Sequence, residues 1–206
     1  MLKKLKIFKN KKILITGHNG FKGSWLTIWL SLLGANVVGI SLKDTNKDNH
    51  FNLVRKKVNI KSFYFDLRNK IKLQKIILQE KPDYIFHLAA QSLVYKSVQD
   101  PRFNWETNVI GLFNLLEAIS RLKKKCYGVI ITSDKCYKNL EQKKGYKETD
   151  ILGGIDPYSA SKASAEILFN SYYQTFIGNK KKNIRLCTAR AGNVIGGGDW
   201  SKNRLI

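Results

Sequence analysis

The sequence is short of cysteine, of acid and of long apolar runs, and each shortage narrows what the chain can be. Its three cysteines, Cys126, Cys136 and Cys187, are odd in number and lack metal-ligand spacing, so neither a disulfide framework nor a metal site is expected. A reducing, cytoplasmic setting fits that usage. No apolar run is long enough to span a bilayer. The basic opening MLKKLKIFKNKK is interrupted by Lys and Asn too often for a secretory signal, so no membrane partner is expected. Acid is scarce, with 15 Asp and Glu against 37 Lys and Arg, a net charge of +22. Such a balance would suit a polyanion, but the lysines are dispersed along the whole chain without an interleaved aromatic stripe, which argues against nucleic acid. The short runs Lys123 to Lys125 and Lys180 to Lys182 read as solvated loops or helix ends. No repeat, low-complexity segment or Pro/Gly/Ser-rich linker divides residues 1–206, so one domain and no complete second one is expected.

What is present is an alternation. With 43% hydrophobic residues the chain can bury one good core. Strand-length apolar runs, KILIT (12–16), NVVGISL (36–42), KSFYF (61–65), DYIFHLAA (83–90), GVIIT (128–132) and NIRLCTAR (183–190), are separated by helix-length segments. Helices are expected over 21–34, about 70–80, about 104–122, and from Pro157 to about Phe176. The strands are apolar almost throughout, as they must be when helices cover both faces of a sheet. The fold class is therefore α/β, a doubly wound, Rossmann-like parallel sheet, in which ligands gather at the carboxyl ends of the strands.

After KILIT comes TGHNGFKGSWL, with Gly17, Gly20 and Gly23 spaced G-x-x-G-x-x-G between the first strand and the first helix. Glycines there permit a tight turn and close approach of a pyrophosphate to the free N–H groups of the helix N-terminus. His18, Phe21 and Lys22 belong to the same turn, His18 as a backbone-positioned residue. An acid is expected about 20 residues on to bind the ribose of NAD, yet Ser41 stands there, with Lys43 and Asp44 just beyond. Between NAD and NADP that position decides nothing. Asp66 and Leu67, after the third strand, could hold the adenine, or Asp66 could be a plain helix cap. Leu88, Ala89 and Ala90 end the fourth strand, where small residues would let a ribose and nicotinamide lie close, though core residues would look the same.

DPYSASKASAE opens a helix, with Asp156 as N-cap and Pro157 in the first turn. Tyr158 and Lys162 then share a face, and an ammonium beside a phenol favours the phenolate that can take a proton from an alcohol. Ser133, Asp134 and Lys135 follow the strand GVIIT, at a carboxyl end. Asn108 reads as structural, bonding the backbone of a neighbouring strand. Trp25 and Trp29 read as core packing.

Together the glycine turn, the LAA segment, the strand-end trio and Tyr158-x-x-x-Lys162 resemble the extended short-chain dehydrogenase/reductases that act on nucleotide sugars. GHNGFKGSWL, TSDKCYKN, DPYSASKASAE and RAGNVIGGGDW resemble, more narrowly, the CDP-glucose 4,6-dehydratases among them. The resemblance implies NAD as cofactor and a nucleotide sugar as substrate, oxidised at C4, dehydrated across C5 and C6, and given its hydride back at C6. It implies Tyr158 as base at C4, Ser133 as hydrogen-bond partner of the same oxygen, Lys162 as tuner of Tyr158 and ribose ligand, Asp134 as acid at C6 and Lys135 as base at C5. Related dehydratases usually carry glutamate at the position of Lys135, and a lysine acts as base only when neutral. Asn193 resembles a residue near the sugar diphosphate. The CDP base and a homodimer of a full-length parent rest on resemblance alone. In such families the chain continues beyond RAGNVIGGGDW into the part that grips the nucleotide, so the sequence as it stands is expected to bind cofactor and turn over poorly. A 4-epimerase of the same superfamily and a non-catalytic basic binding module are the alternatives.

Overall fold

The computed structural model describes residues 5–44, 49–180 and 183–200. Six parallel strands, β1 Lys12–Thr16, β2 Asn36–Ser41, β3 Ile60–Tyr64, β4 Tyr84–His87, β5 Cys126–Ile131 and β6 Ile184–Ala189, form one sheet in the order β3-β2-β1-β4-β5-β6. The strand order reverses between β1 and β4, whose registers pair Ile13 with Tyr84 and Thr16 with His87. That reversal opens a crevice at the carboxyl ends, where the glycine turn and the end of β4 meet. The sequence boundaries match within two or three residues except for β4, which ends at His87 and leaves Leu88, Ala89 and Ala90 outside the ladder.

On one face, Leu14, Val38, Ile40, Ile85 and Ile130 pack against α3 (Lys70–Glu80), α6 (Gly111–Ser120) and α7 (Pro157–Tyr172), through Leu73, Ile77, Leu115, Leu116, Ile119 and Phe169. Each such side chain contributes about 1.5–3 kcal/mol by leaving water. On the other face α1 (Phe21–Leu32) covers Ile13, Ile15 and Val37 through Leu30. Helical cover of both faces is thus complete only over part of the sheet. Among the described residues Phe8, Tyr84, Phe86, Tyr127, Val129 and Cys187 line an open apolar groove over β4, β5 and β6.

The helix α1 corrects the reading of its tryptophans. Its buried stripe is Gly23, Ser24, Thr27 and Leu30, small residues that let the helix lie close to the sheet. Trp25 and Trp29, offset from that stripe, are 48% and 49% exposed. The i, i+4 spacing was right for one helix face, but the apolar face here points outward. Trp25 donates its indole N–H to the Gly197 carbonyl at 2.9 Å and stacks on His50. The helix stops at Leu32, two residues early, because Gly34 takes φ 79° and its N–H turns back to Ser31, with Ala35 bonding Leu30.

The helix expected over 104–122 begins earlier. Asp100 caps α5 (Pro101–Trp105) by accepting from the Phe103 N–H, and a π-helical stretch, Glu106–Ile110, joins α5 to α6. Two short helices, α2 (His50–Val54) and α4 (Val94–Gln99), have no counterpart in the sequence reading. Lys123, Lys124 and Lys125 are exposed, as expected. Of the run 180–182, residues 181 and 182 lie outside the described residues, as do residues 1–4 of the opening stretch.

Candidate active site

Gly17 leaves β1 at φ 76°, its N–H bonded to the Ile40 carbonyl at 2.7 Å. A Cβ there would meet the Ala89 nitrogen at 2.8 Å, and one on Gly23 would collide with the Gly17 carbonyl. These two glycines are required by the protein's own packing. Gly20, the N-cap of α1, differs: the nearest atom to a Cβ would be the Gly17 oxygen at 3.4 Å. The protein's own packing therefore does not require a glycine at position 20.

Below the turn, His18 is fully buried and its Nδ1 is hydrogen-bonded to the Ser41 hydroxyl at 2.7 Å. Burial pushes its pKa down to about 4, against a smaller upward pull from the Ile40 backbone. The Ser41 hydroxyl therefore faces inward to His18, and the Asn19 N–H reaches it at 3.4 Å. Asp66 accepts from the Arg68 backbone and guanidinium. Burial pushes its carboxyl up, but Arg68 outweighs that and holds it below the usual range. Leu67 has its side chain in the core. Ala89 donates to the Thr16 hydroxyl at 3.3 Å, and the same hydroxyl meets His87 at 2.7 Å. Burial, with the charge of Lys162 adding to it, takes His87 down to about 3.

The strand-end trio forms a short 3-10 turn, Asp134–Cys136, capped by Ser133, whose oxygen accepts from the Lys135 N–H at 3.2 Å and whose hydroxyl donates to Asp134 at 3.1 Å. On α7, Asp156 accepts from the Ser159 N–H and Pro157 occupies the first turn, as the sequence indicated. Tyr158 is 8% and Lys162 is 6% exposed. The Lys162 ammonium reaches the Ile131 carbonyl at 3.4 Å. Burial, reinforced by Lys22 and opposed by Glu166, brings its pKa down to about 8.

One cavity of about 680 Å³ gathers Phe21, Lys22, Ser133, Asp134, Lys135, Tyr158 and Asn193 among its lining residues. The phenol, the hydroxyl, the carboxylate and the amine converge beside the start of α1. Lys162 lies behind that lining, buried, while Asp134, Lys135 and Asn193 are exposed. Gly17, His18, Gly20, Gly23, Ser41, Asp66, Leu67, Leu88, Ala89 and Ala90 do not line the cavity and lie around the turn and the ends of β2, β3 and β4. The cavity also includes Ser92, Tyr95 and Lys96, which the sequence reading passed over. Their position just beyond β4, at the strand-order reversal, was the available signal.

Asn108 sits on the π-helical stretch, accepts from the Gln91 N–H at 2.8 Å, and donates to the Gln91 carbonyl and the Ser161 hydroxyl at 3.0 and 2.9 Å. It ties the segment after β4 to α7, a structural role of the kind expected.

The switch-point crevice, the glycine turn and the Tyr-x-x-x-Lys helix beside the end of β5 define a Rossmann-like α/β protein of the short-chain dehydrogenase/reductase class. Within that class the chain belongs to the family described as GDP-mannose 4,6 dehydratase, which matches residues 14–195. It is 42% identical over 202 residues to a CDP-glucose 4,6-dehydratase of Salmonella typhimurium, covering 97% of this chain and 56% of that protein. An epimerase from Methanothermobacter thermautotrophicus superposes with a TM-score of 0.81 at 26% identity, over 96% of this chain and 56% of the other. The UDP-glucose 4-epimerase of Thermus thermophilus in complex with NAD gives 0.72 at 28% identity, over 87% and 54%. The chain thus spans little more than half the length of these relatives.

Proposed function

We propose that the chain carries the NAD-binding and catalytic half of a nucleotide-sugar 4,6-dehydratase, with CDP-glucose as substrate. The observation that carries this reading is the convergence of Tyr158, Ser133, Asp134 and Lys135 on one cavity next to the turn that would seat a pyrophosphate. NAD suits that turn because Gly20, at the N-terminus of α1, presents no side chain to an approaching pyrophosphate, and NAD supplies an acceptor for the C4 hydride that is returned at C6. The Thermus relative, solved with NAD, supports the choice. A soluble, cytoplasmic setting belongs to the same reading.

Tyr158 takes the proton of the C4 hydroxyl, with Lys162 behind it to stabilise the phenolate. Ser133 hydrogen-bonds the same oxygen. The C4 ketone acidifies C5, so Lys135 removes the C5 proton while Asp134 protonates the departing C6 hydroxyl. This division explains the trio: a 4-epimerase has no use for an acid and a base at C5 and C6. Asn193 faces the sugar diphosphate.

The test is product analysis. The chain, alone and fused to the part of the Salmonella relative that it does not span, is incubated with NAD and with CDP-, UDP- and dTDP-glucose. The alkali-sensitive absorbance of a 4-keto-6-deoxy sugar is expected from CDP-glucose with the fusion. A 4-epimer as product, or keto sugar only from another nucleotide, would overturn the assignment of reaction or of base.

A further inference from the structure

Behind the residues that would touch substrate stands a buried carboxylate with no role in the chemistry above. Glu166, on α7 one turn beyond Lys162, is 5% exposed. It accepts a short hydrogen bond from the Thr132 hydroxyl, a second from the Thr188 hydroxyl at 3.0 Å and a third from Arg190 Nη2 at 3.1 Å. All three donors sit at strand ends that lead into the cavity. Thr132 precedes Ser133, while Thr188 and Arg190 precede the lining residues Ala191, Gly192 and Asn193. Arg190 is itself fixed over the Tyr137 ring at 4.8 Å and by the Glu148 carbonyl at 3.1 Å.

Beside the Ile131 carbonyl that it reaches, four titratable side chains act on or are acted on by the Lys162 ammonium. They are Lys22 from α1, His87 from β4, Cys136 from the 3-10 turn and Glu166 from its own helix. Lys22 repels it. His87 is kept neutral by burial, and burial pushes the Cys136 thiol up to about 11. Glu166 is the one carboxylate among these described residues. An opposite charge favours the charged form of a buried lysine, and without it desolvation acts alone.

We propose that Glu166 is a positioning residue of this site: its carboxylate binds the ends of β5 and β6 to the helix of Tyr158 and Lys162, and, one turn from Lys162 on that helix, supplies a counter-charge that favours the ammonium. The inference rests on the reading of Tyr158 and Lys162 as the proton-handling pair. It extends that reading to the last residue of DPYSASKASAE, which does not line the cavity.

The test is a lysine titration by NMR in the 206-residue chain, without NAD or substrate, using ¹³Cε-lysine with the Lys162 signal assigned from Lys162→Arg. Glu166→Gln should move the Lys162 titration down by roughly half a pH unit or more, and Glu166→Asp, which keeps the charge, by less. A Glu166 that only supported the fold would lower the melting temperature and leave Lys162 where it was; that result overturns the proposal. Should the Gln variant not fold, the wild-type chain decides. Its Glu166 ¹³Cδ signal, assigned from Glu166→Asp, should step at the pH where Lys162 loses its proton. A flat signal through that pH overturns the proposal equally. Because neither readout needs turnover, failure of the dehydratase reading and failure of this one are separable.

Discussion

At the scale of single residues, burial decides which histidines stay neutral. His18 and His87 are buried at 0% and 3% exposure, with values of about 4 and about 3 against 6.5 in the open chain. A histidine whose folded value is depressed contributes its full stability above the unfolded value. That stability is lost as pH falls below about 6.5. Each should contribute roughly 2 kcal/mol of lost stability between pH 7 and pH 5. The carboxylates held low by their partners, Asp66, Glu80, Asp83 and Asp156, add their loss only at lower pH. Denaturant titration of the chain at the two pH values checks this, and equal stability at both would contradict the buried neutral rings. Lys135 is the opposite case, an exposed amine at the cavity mouth. In the fusion with the Salmonella relative, Lys135→Ala should let NADH accumulate while keto-sugar formation falls by orders of magnitude. An unchanged yield would remove the lysine from the C5 position.

At the scale of elements, the turn between β1 and α1 separates two kinds of glycine that the sequence presents as equals. Gly23→Ala drives a methyl group into the Gly17 carbonyl, so it should destabilise the chain by about 1–3 kcal/mol. Gly20→Ala has room inside the protein and should cost less than about 1 kcal/mol, yet should still weaken NAD binding several-fold. Melting temperatures and NAD titrations of the two variants read the difference; equal binding by Gly20→Ala and wild type would place the pyrophosphate elsewhere. The capped start of α7 was legible in Asp156 and Pro157 because capping chemistry is local. The early start of α5 and the π-helical stretch were not, since what the π turn achieves, aiming Asn108 at Gln91 and Ser161, involves partners 17 and 53 residues away. Helices α2 and α4 were missed because five- and six-residue segments show too little periodicity to announce themselves.

At the scale of the whole molecule, the site is open. Among the described residues Asp134, Lys135 and Asn193 are exposed, so the elimination proposed above would take place in contact with water. The 206-residue chain is therefore expected to bind NAD, as followed by calorimetry, while forming little keto sugar from CDP-glucose. Normal turnover by the chain alone would show that the described walls suffice.

Local order in the sequence determined the alternation of strands and helices, the glycine turn, the cap of α7 and the candidate residues themselves, because each depends on neighbours within a turn or a strand. Only the tertiary structure decided that Tyr158 and the trio share a cavity, that Trp25 and Trp29 face outward, that Ser41 is turned to His18, and that Glu166 binds the ends of β5 and β6. The i, i+4 spacing on α7 sets Glu166 one turn from Lys162, but its bonds to Thr132, Thr188 and Arg190, like the shared cavity and the Ser41–His18 bond, join segments far apart in the chain and are set by the order in which parallel strands pack.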